Sequence, residues 1–491
     1  MIRSQIVYSR IAAIARELAE TVGRTARSPG LTEGRRYAAA LLTGEPKLVA
    51  QAQYDASHVF LIRDSVAALL DRFAFNLGEG DIVLVGDPYS GGSTPQAITI
   101  AAPLFYEGEL VLFPAVRAEM ADLAGEFPGS LHPFASETWQ EAVRFTPLKL
   151  YRHGLLQRDA LRFMLRNSRA ESQVRADIEA IVSALRAASD SLVALMDEKG
   201  RAATEAAIAR TIEHSRALGS AQIDARYGAI NRKVKTKLPV SAEATVDLSV
   251  RVTIDEGRLA LDFAGTGANR SGPYNMTPGQ TKGYALVAAL AETLDDTTLN
   301  DGHLQLVTMT APKGSLVDPV LPAATGLSDA VTAHHLVRLV RAALHGGTAP
   351  VEARLDGVQP AVLAFLPIGA EDNPPIRLDP GFALSAQGWG PPVLAGRRLM
   401  PSAEVLEARE HFNLVSREIG DDGRIRAVIR NDGPELEGNF LVPRDGSGPQ
   451  GGLALVIDGE RRALESAVLV VIPPGARIEF VYPTYAERAD G

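Results

Sequence analysis

The stretch Asp81–Asp122, DIVLVGDPYSGGSTPQAITIAAPLFYEGELVLFPAVRAEMAD, decides how the first half of the chain is interpreted. The apolar run Ile82–Val85 predicts a short strand, and residues 102–116 predict a hairpin that turns at Glu107–Glu109. Between them lies the segment 86–97, GDPYSGGSTPQA, which we call the glycine loop. Its aspartate, tyrosine, paired glycines and hydroxyls directly follow a strand, a position typical of a functional loop.

Helices and a further strand are predicted on either side of this stretch. Residues 1–25 predict an amphipathic helix with Ser9 as its N-cap, and residues 47–54 predict a short strand. Residues 155–217 carry helical spacing, and the break near Gly200 predicts two helices there. The first half therefore mixes helices and strands.

The second half has a different character. Apolar residues alternate strictly from Val246 to Ile254 and again from Leu259 to Phe263, which predicts a half-buried hairpin. Residues 281–294 and 328–345 are predicted to be helical, and short strands dominate after residue 350. We predict a mixed α/β (α+β) fold with a boundary near residue 235. It separates an α/β region, 1–235, from a strand-rich region with embedded helices, 236–491.

Composition excludes several classes of protein. The 491 residues are 46% hydrophobic and 22% charged, as in ordinary soluble proteins, and the net charge of −9 disfavours nucleic-acid binding. With no cysteine, the chain cannot form disulfides, thiolate zinc sites or a cysteine nucleophile, and we expect a cytoplasmic location. We find no apolar run long enough for a membrane span and no phosphate-binding glycine motif.

Carboxylates near the predicted hairpin are the first candidate site residues. Asp87, Glu119 and Asp122 can converge if their loops leave neighbouring strands, and oxygen ligands suit Mg²⁺, Mn²⁺ or Ca²⁺. The alternative is that Arg117 pairs with one of these acids while Asp87 caps the turn before Pro88. Spacing alone favours this alternative.

Two further candidates lie outside the glycine loop. His58, just after the strand-like LVAQAQ, is a candidate pocket residue, although a buried structural histidine is the commoner case. Glu137 and Glu141 stand four residues apart, so they share a helical face if their segment is helical.

Several stretches resemble the hydantoinase B family, which includes the B subunits of ATP-dependent hydantoinases, the C-terminal half of 5-oxoprolinases, and acetone and acetophenone carboxylase subunits. The resemblance extends in order over about 400 residues. It is carried by LVAQA (48–52) with His58, GDIVLVGDPYSGGS (80–93), TIAAPLFYEGELV (99–111), RAEMADLAG (117–125), PGS (128–130), ETWQEAVRFTPLKLYRHG (137–154), NSRAESQVRADI (167–178), LDFAGTGANRSGPYN (261–275), APKGSLVDPVLPAAT (311–325) and PSAEVLEAR (401–409).

The resemblance implies a division of labour between subunits. A hydantoinase A-like partner would bind ATP and Mg²⁺ and activate an amide or carbonyl oxygen by phosphorylation. The B-type subunit, often with a divalent metal, would carry the activated substrate through hydrolysis or carboxylation. A second hydantoinase B-like or small subunit can complete such a hetero-oligomer, with no nucleic acid or membrane involved.

The chain departs from the family where metal ligands are expected. The family's glycine loop continues Thr-His-x-Pro-Asp, and its next motif is His-His-Ala-Asp-Ile-Gly-Gly. Here Thr94 stands for the histidine and Ala97 for the aspartate of the loop, while Glu119 and Met120 replace both histidines of the second motif. Only Asp122 keeps its acid, so we expect no tightly bound metal, at most a weak divalent one. The C-terminal Asp-Ser-Gly-Gly motif is also eroded, to Asp421–Arg424.

Two functions remain open at this point. The chain is either an enzyme subunit acting on cyclic amides or carboxylating a ketone, or a non-catalytic paralogue that scaffolds such a complex. For the enzyme we assign catalysis to Glu119, Asp122 and His58. Substrate binding is assigned to Asp87, Tyr89, Gly91, Gly92, Thr94 and Arg117.

Overall fold

The structure is a computed structural model. It describes residues 2–52, 56–73, 75–240, 244–290, 299–346, 362–368, 375–378, 404, 407–408, 412–419, 424–442 and 452–483.

The first half alternates helices with strands. Its helices are α1 Ile2–Thr25, α2 Pro29–Thr32, α3 Ala56–Phe73, α4 Thr138–Glu141, α5 Arg158–Arg166, α6 Glu171–Lys199 and α7 Arg201–Tyr227, with a 3-10 turn at Pro128–Ser130. Its strands are β1 Tyr37–Thr43, β2 Leu48–Ala52, β3 Ile82–Gly86, β4 Ala97–Ala101, β5 Leu104–Tyr106, β6 Glu109–Glu119, β7 Phe145–Arg152 and β8 Leu155–Leu156.

The second half is richer in strands. Its helices are α8 Pro278–Leu290, α9 Asp301–Leu304 and α10 Thr332–His345. Its strands are β9 Ile230–Pro239, β10 Thr245–Asp255, β11 Arg258–Asp262, β12 Val307–Thr310, β13 Val362–Pro367, β14 Ile376–Leu378, β15 Phe412–Ile419, β16 Arg424–Asn431, β17 Leu436–Leu441, β18 Gly452–Ile457, β19 Glu460–Ala463, β20 Ala467–Ile472 and β21 Arg477–Pro483.

A sheet with the order β2-β1-β6-β4-β3-β7-β8 organises the first half, and β5 pairs with β6. Successive residues of β1 face opposite sides, so Ala38 and Ala40 pack with α3 while Tyr37 and Ala39 pack with α1 and α6. We call these two layers the α3-side core and the α1-side core. Because both faces are covered, β1, β3 and β4 are buried along almost their whole length rather than at alternate residues.

Most helices and hairpins of the first half were predicted correctly. The helix at residues 1–25, the hairpin of β5 and β6, and the break at Gly200 are confirmed, the last with a positive φ of 85°. The assignment of Ser9 as an N-cap was wrong, because α1 begins at Ile2 and Ser9 lies inside it. Helical periodicity locates an apolar face but not the first turn.

The second half contributes to the same core as the first. The hairpin of β10 and β11 is confirmed, and it belongs to a sheet with the order β12-β11-β10-β9. Its apolar side and helices α8 and α10 complete the α3-side core. Residue 235, where a boundary was predicted, lies within β9, and the division stays a prediction.

Two further sheets lie near the C-terminus. Their orders are β14-β13-β17-β20 and β15-β16-β21-β18-β19, and their apolar faces share a separate cluster around Phe365, Phe412 and Phe440. Within the predicted helix 281–294, α8 ends at Leu290, and 291–298 lie outside the described residues. The fold is mixed α/β, as predicted. Among the described helices none is both long and apolar enough to cross a membrane.

Candidate functional site

The glycine loop begins with a turn built on Asp87. Its carboxylate accepts hydrogen bonds from the Tyr89 N–H at 3.1 Å and the Ser90 hydroxyl at 2.7 Å, so the predicted cap before Pro88 is confirmed. Both Asp87 oxygens also accept from Arg144, with two N–O distances of 2.9 Å. Asp87 is predicted to bind substrate, but its buried carboxylate already accepts four hydrogen bonds, two of them from this bidentate arginine.

Residues from the second half clamp the rest of the loop. The Tyr89 hydroxyl donates to the Ala323 carbonyl at 2.6 Å, and burial raises the pKa of Tyr89 above its ordinary value. Thr277 donates to the Gly92 carbonyl at 2.7 Å, and Thr325 donates to the Ser93 carbonyl at 3.2 Å. The loop is therefore held from outside its own sheet.

Gly91 and Gly92 are required by packing. Gly91 has a φ of 75°, and a Cβ there would stand 2.5 Å from the Asp64 carbonyl oxygen of α3. At Gly92 a Cβ would overlap the Asp87 carbonyl oxygen. Since these contacts involve backbone atoms, only glycine fits at either position. Thr94, also predicted to bind substrate, is buried, and its carbonyl accepts from the Ala97 N–H at 3.2 Å.

Glu119 and Asp122 do not join Asp87. Strand β4 lies between β3 and β6, so the chain leaves these two strands about 10 Å apart. Glu119 instead pairs with Arg36 at 3.3 Å. The predicted convergence was wrong because β3 and β6 are not neighbours in the sheet. The order of strands along the chain does not reveal which strands pair.

Asp122 is buried and saturated with donors. One oxygen accepts from the backbone N–H groups of Ala124 and Arg169, both at 3.0 Å. The other accepts from the Gly129 N–H at 3.0 Å and from the Arg169 guanidinium at 3.2 Å. This arrangement ties the 122–130 loop to the start of α6, the geometry of a structural anchor.

The residues at the positions where the resemblance implies metal ligands do not fit a metal. Thr94, Ala97 and Met120 offer no nitrogen or carboxylate ligand, and Glu119 and Asp122 are each paired with a different arginine. Across the described part of the chain, no group of three histidine, cysteine or acidic side chains is arranged to hold a metal ion. Asp421–Gly423, from the eroded C-terminal motif, lie outside the described residues, as does most of 401–409.

A polar cluster lies beneath α3, at the end of the sheet where the glycine loop begins. Its centre is Arg117, which is fully buried and donates to the hydroxyls of Ser93 at 2.7 Å, Thr99 at 3.0 Å and Ser65 at 3.3 Å. His58 lies buried in the first turn of α3, on the same side of the sheet. We call Arg117 with its three hydroxyls the arginine cluster.

Gln51 of β2 lies on the same face of the sheet as Arg117. In the register, Gln51 is opposite Ala40 and Arg117 is opposite Ala38, and residues two apart on a strand share a face. Gln51 is 5% exposed, and neither its amide oxygen nor its amide nitrogen has a hydrogen-bond partner in the described structure. Sequence reasoning missed this residue, although it lies within the LVAQA motif.

Glu137 and Glu141 lie in different environments, which the sequence does not indicate. Glu137 lies outside α4 as its N-cap and is exposed, so the expectation of a shared helical face was wrong. Glu141 is buried and accepts from the N–H groups of Thr325 at 2.8 Å and Gly326 at 2.6 Å. Burial raises the pKa of Glu141 to about 8 against the opposing effect of these bonds. No local pattern signals partners 184 residues away.

Comparison with known proteins points to one family. The family model described as hydantoinase B/oxoprolinase matches residues 1–378. The B-type subunit of a putative D-/L-hydantoinase from Pseudomonas sp. (strain NS671) is 24% identical over 65% of this chain and 57% of its own length. The β-subunit of caprolactamase from Pseudomonas jessenii is 27% identical over 40% of this chain and 34% of its own length. 5-Oxoprolinase 1 of Arabidopsis thaliana is 24% identical over 69% of this chain and 29% of its own length. The chain therefore spans less than two thirds of the length of each of these relatives.

Solved structures share the fold. The ATP-dependent caprolactamase from Pseudomonas jessenii superposes with a TM-score of 0.84 at 18% identity, covering 98% of this chain and 90% of that one. Nucleotide-free acetone carboxylase superposes with a TM-score of 0.83 at 16% identity, and the match covers 98% of this chain and 75% of that one. Since the family match extends over most of the sequence, the chain belongs to the hydantoinase B/oxoprolinase family.

Proposed function

We propose that this chain is the B-type subunit of a hetero-oligomeric, ATP-dependent complex that hydrolyses a cyclic amide. The observation that carries the proposal is the match of 98% of the chain to the ATP-dependent caprolactamase. Relatives named for caprolactam, hydantoin and 5-oxoproline share a ring amide as their substrate chemistry. The chain also superposes on acetone carboxylase, so ketone carboxylation is a variant of this proposal. Activity assays must therefore include it.

The partner in this proposal is a hydantoinase A-like subunit that binds ATP and Mg²⁺, because the present sequence has no phosphate-binding glycine motif. A second hydantoinase B-like or small subunit is part of the same proposal, and so is a cytoplasmic location. Within this chain, substrate would bind near the arginine cluster, with His58 and Glu119 as the acid–base candidates. We propose no tightly bound metal at the family's positions.

A second candidate is a non-catalytic scaffold. One observation favours it: Asp87, Glu119 and Asp122 are each paired with a separate arginine. Saturated carboxylates are poor proton acceptors, whereas they anchor loops well. In this case the fold and the subunit contacts would be retained and another subunit would perform the chemistry.

Purification of the tagged chain with its bound partners separates these candidates. The enzyme subunit should co-purify with an ATP-binding partner and open hydantoin, 5-oxoproline or caprolactam only when ATP is present. Glu119→Gln should then lower kcat by about 100-fold or more. Unchanged turnover in the Glu119→Gln and His58→Gln complexes would support the scaffold instead.

Asp122→Asn tests the assignment of Asp122 as a structural anchor. Because Asp122 accepts four hydrogen bonds, its replacement should lower the free energy of unfolding by about 3 kcal/mol, measured by urea denaturation. Asp190→Asn, on the exposed face of α6, serves as the control and should change stability by about 0.5 kcal/mol or less. Full stability with lost turnover in Asp122→Asn would instead identify Asp122 as catalytic.

A further inference from the structure

A cleft of about 600 Å³ lies between the end of α3, strand β7 and the start of α5. We call it the α5 cleft. Phe73, Leu148 and Leu156 give it apolar walls, while Arg152 and Arg158 add positive charge to its lining. Its volume is that of a pocket able to enclose a small ligand or the anchoring side chain of a partner protein.

The α5 cleft is remote from the glycine loop. Gly86, where that loop begins, pairs with Phe145 at the start of β7. Arg152 is the last residue of this strand of eight residues. At about 3.3 Å per residue, it lies about 20 Å from the loop. Substitutions at this end of β7 should therefore leave the candidate site undisturbed.

Three exposed apolar side chains surround the cleft. Phe75 is fully exposed, Leu155 is 73% exposed and Phe163 is 60% exposed, and no other large hydrophobic side chain of the described residues is as exposed as these. Phe75 and Leu155 each lie close in sequence to a lining residue, and Phe163 follows the lining residue Asp159 by one helical turn. Single apolar side chains on a surface are ordinary, but a group of them beside one cleft marks an interaction surface.

The charge of this surface is mainly positive. Arg152 and Arg158 line the cleft, and Arg162 follows Arg158 by one turn of α5. None of these three arginines has an ion-pair partner among the described residues. Lys149 also lines the cleft, but it pairs with Asp81 at 2.7 Å. On a chain with a net charge of −9, this local excess of arginine favours an acidic partner.

Shape and charge distinguish between the occupants. Asp159 is the only acidic residue in the lining, so a symmetric contact with a second copy would bring arginines against arginines. A lipid surface buries protruding side chains but does not fill a cleft between them. A protein segment that carries carboxylates beside a large apolar side chain suits both the cleft and its arginines.

We propose that the α5 cleft docks an acidic segment of the ATP-binding partner subunit. A large apolar side chain of that segment would enter the cleft, and its carboxylates would pair with Arg152, Arg158 and Arg162. This inference rests on the proposed function, which requires such a partner. It assigns the place where the two subunits meet, away from the candidate site.

Cysteine labelling tests the proposal directly, because the chain has no cysteine of its own. Ala160→Cys places a thiol in the lining of the cleft, and Ala260→Cys on the exposed side of β11 is the matched control. In the complex with the co-purified ATP-binding subunit, Ala160→Cys should react with a fluorescent maleimide about tenfold more slowly than in the chain alone. The control should change less than about twofold. Equal rates for Ala160→Cys in the chain and the complex would overturn the proposal.

Charge reversal provides the second arm. The double variant Arg152→Glu with Arg158→Glu should raise the dissociation constant for the ATP-binding subunit about 100-fold and remove most of its dependence on NaCl. Arg16→Glu with Arg258→Glu is the control, since both arginines are exposed, on α1 and β11, and the change in charge is the same. The control should bind within about threefold of wild type. Equal weakening by both double variants would refute the assignment of the cleft.

The same labelling detects the other occupants. Slower reaction of Ala160→Cys as the chain alone is concentrated would indicate a second copy in the cleft. Slower reaction with phosphatidylglycerol vesicles would indicate a lipid surface. Either result, without protection by the ATP-binding subunit, overturns the proposal.

Turnover separates this inference from the proposed function. A complex that protects the cleft but opens no cyclic amide with ATP supports the docking surface and refutes the proposed reaction. A complex that opens the ring while Ala160→Cys stays fully reactive refutes the docking surface and leaves the reaction standing. If no ATP-binding subunit binds the chain, the proposed complex is refuted, and the docking surface with it.

Discussion

At the scale of single residues, buried polar groups differ by how fully they are satisfied. Asp87 and Asp122 accept bonds from backbone and arginine, so they hold loops in place. Gln51 is buried, and neither atom of its amide has a hydrogen-bond partner in the described structure. His303 lies between these extremes: one ring nitrogen is hydrogen-bonded, and the other has no partner among the described residues.

His303 should make the protein sensitive to mild acid. Its Nδ1 accepts from the Asn300 N–H at 3.2 Å, and burial lowers its pKa from 6.5 to about 4. Below about pH 6.5 the unfolded chain gains a proton that the folded chain accepts only near pH 4, so stability falls between these values. The loss should reach up to about 3 kcal/mol.

Urea denaturation at several pH values checks this expectation. The His303→Gln variant should lose this part of the pH dependence and keep the rest. His214→Gln, at an exposed position of α7, should retain the wild-type slope. Identical slopes for wild type and His303→Gln between about pH 6.5 and pH 4 would show that His303 is not the titrating group.

At the scale of elements, the glycine loop is positioned by α3 and by the second half of the chain. Ser65 of α3 donates to the Gly91 carbonyl at 2.8 Å, and the Asp64 carbonyl occupies the space beside Gly91. Glu141 holds the 325–326 backbone against the same region. These contacts act together with the loop's own Asp87 turn to hold its shape.

Gly91→Ala should therefore be more harmful than another glycine substitution at positive φ. Gly108 has a similar φ of 80°, but a Cβ there meets nothing within 4 Å. Both variants strain the backbone, while only Gly91→Ala also collides with α3. We expect its free energy of unfolding to be lower than that of Gly108→Ala by about 1–3 kcal/mol, measured by urea denaturation. Equal losses would show that α3 does not press on the loop.

At the scale of the whole molecule, the α3-side core joins the two halves. It contains Phe60 and Val83 from the first half together with Leu248, Leu286 and Val337 from the second. One continuous apolar layer predicts that these elements unfold together, because separating them would expose both of its faces to water.

A fragment of residues 1–228 should consequently fail to fold cooperatively. It should bind a hydrophobic dye and lack a sharp thermal transition, while a fragment of residues 1–346 retains nearly all of the α3-side core and should unfold cooperatively. Near-UV circular dichroism and dye fluorescence provide the measurements. A native-like fragment 1–228 would support an independent region ending near residue 235.

Much of the fold could be predicted because its signals are local. The alternation from Val246 to Ile254, the apolar face of α6 and the hairpin turn at Glu107–Glu109 depend on neighbours a few residues apart. The start of α1 and the order β6-β4-β3 were not accessible in this way, since helix ends and strand order depend on contacts between distant elements.

The sequence by itself determined the family and the mixed α/β class. Only the tertiary structure decided what the remaining polar residues do. Glu119 meets Arg36 across 83 positions of the chain, and Glu141 meets Thr325 across 184. Such pairs form because a buried charged or polar group needs a hydrogen-bond partner, and the packing of the sheet determines which partner lies nearby. The spacing of residues along the chain does not indicate that partner.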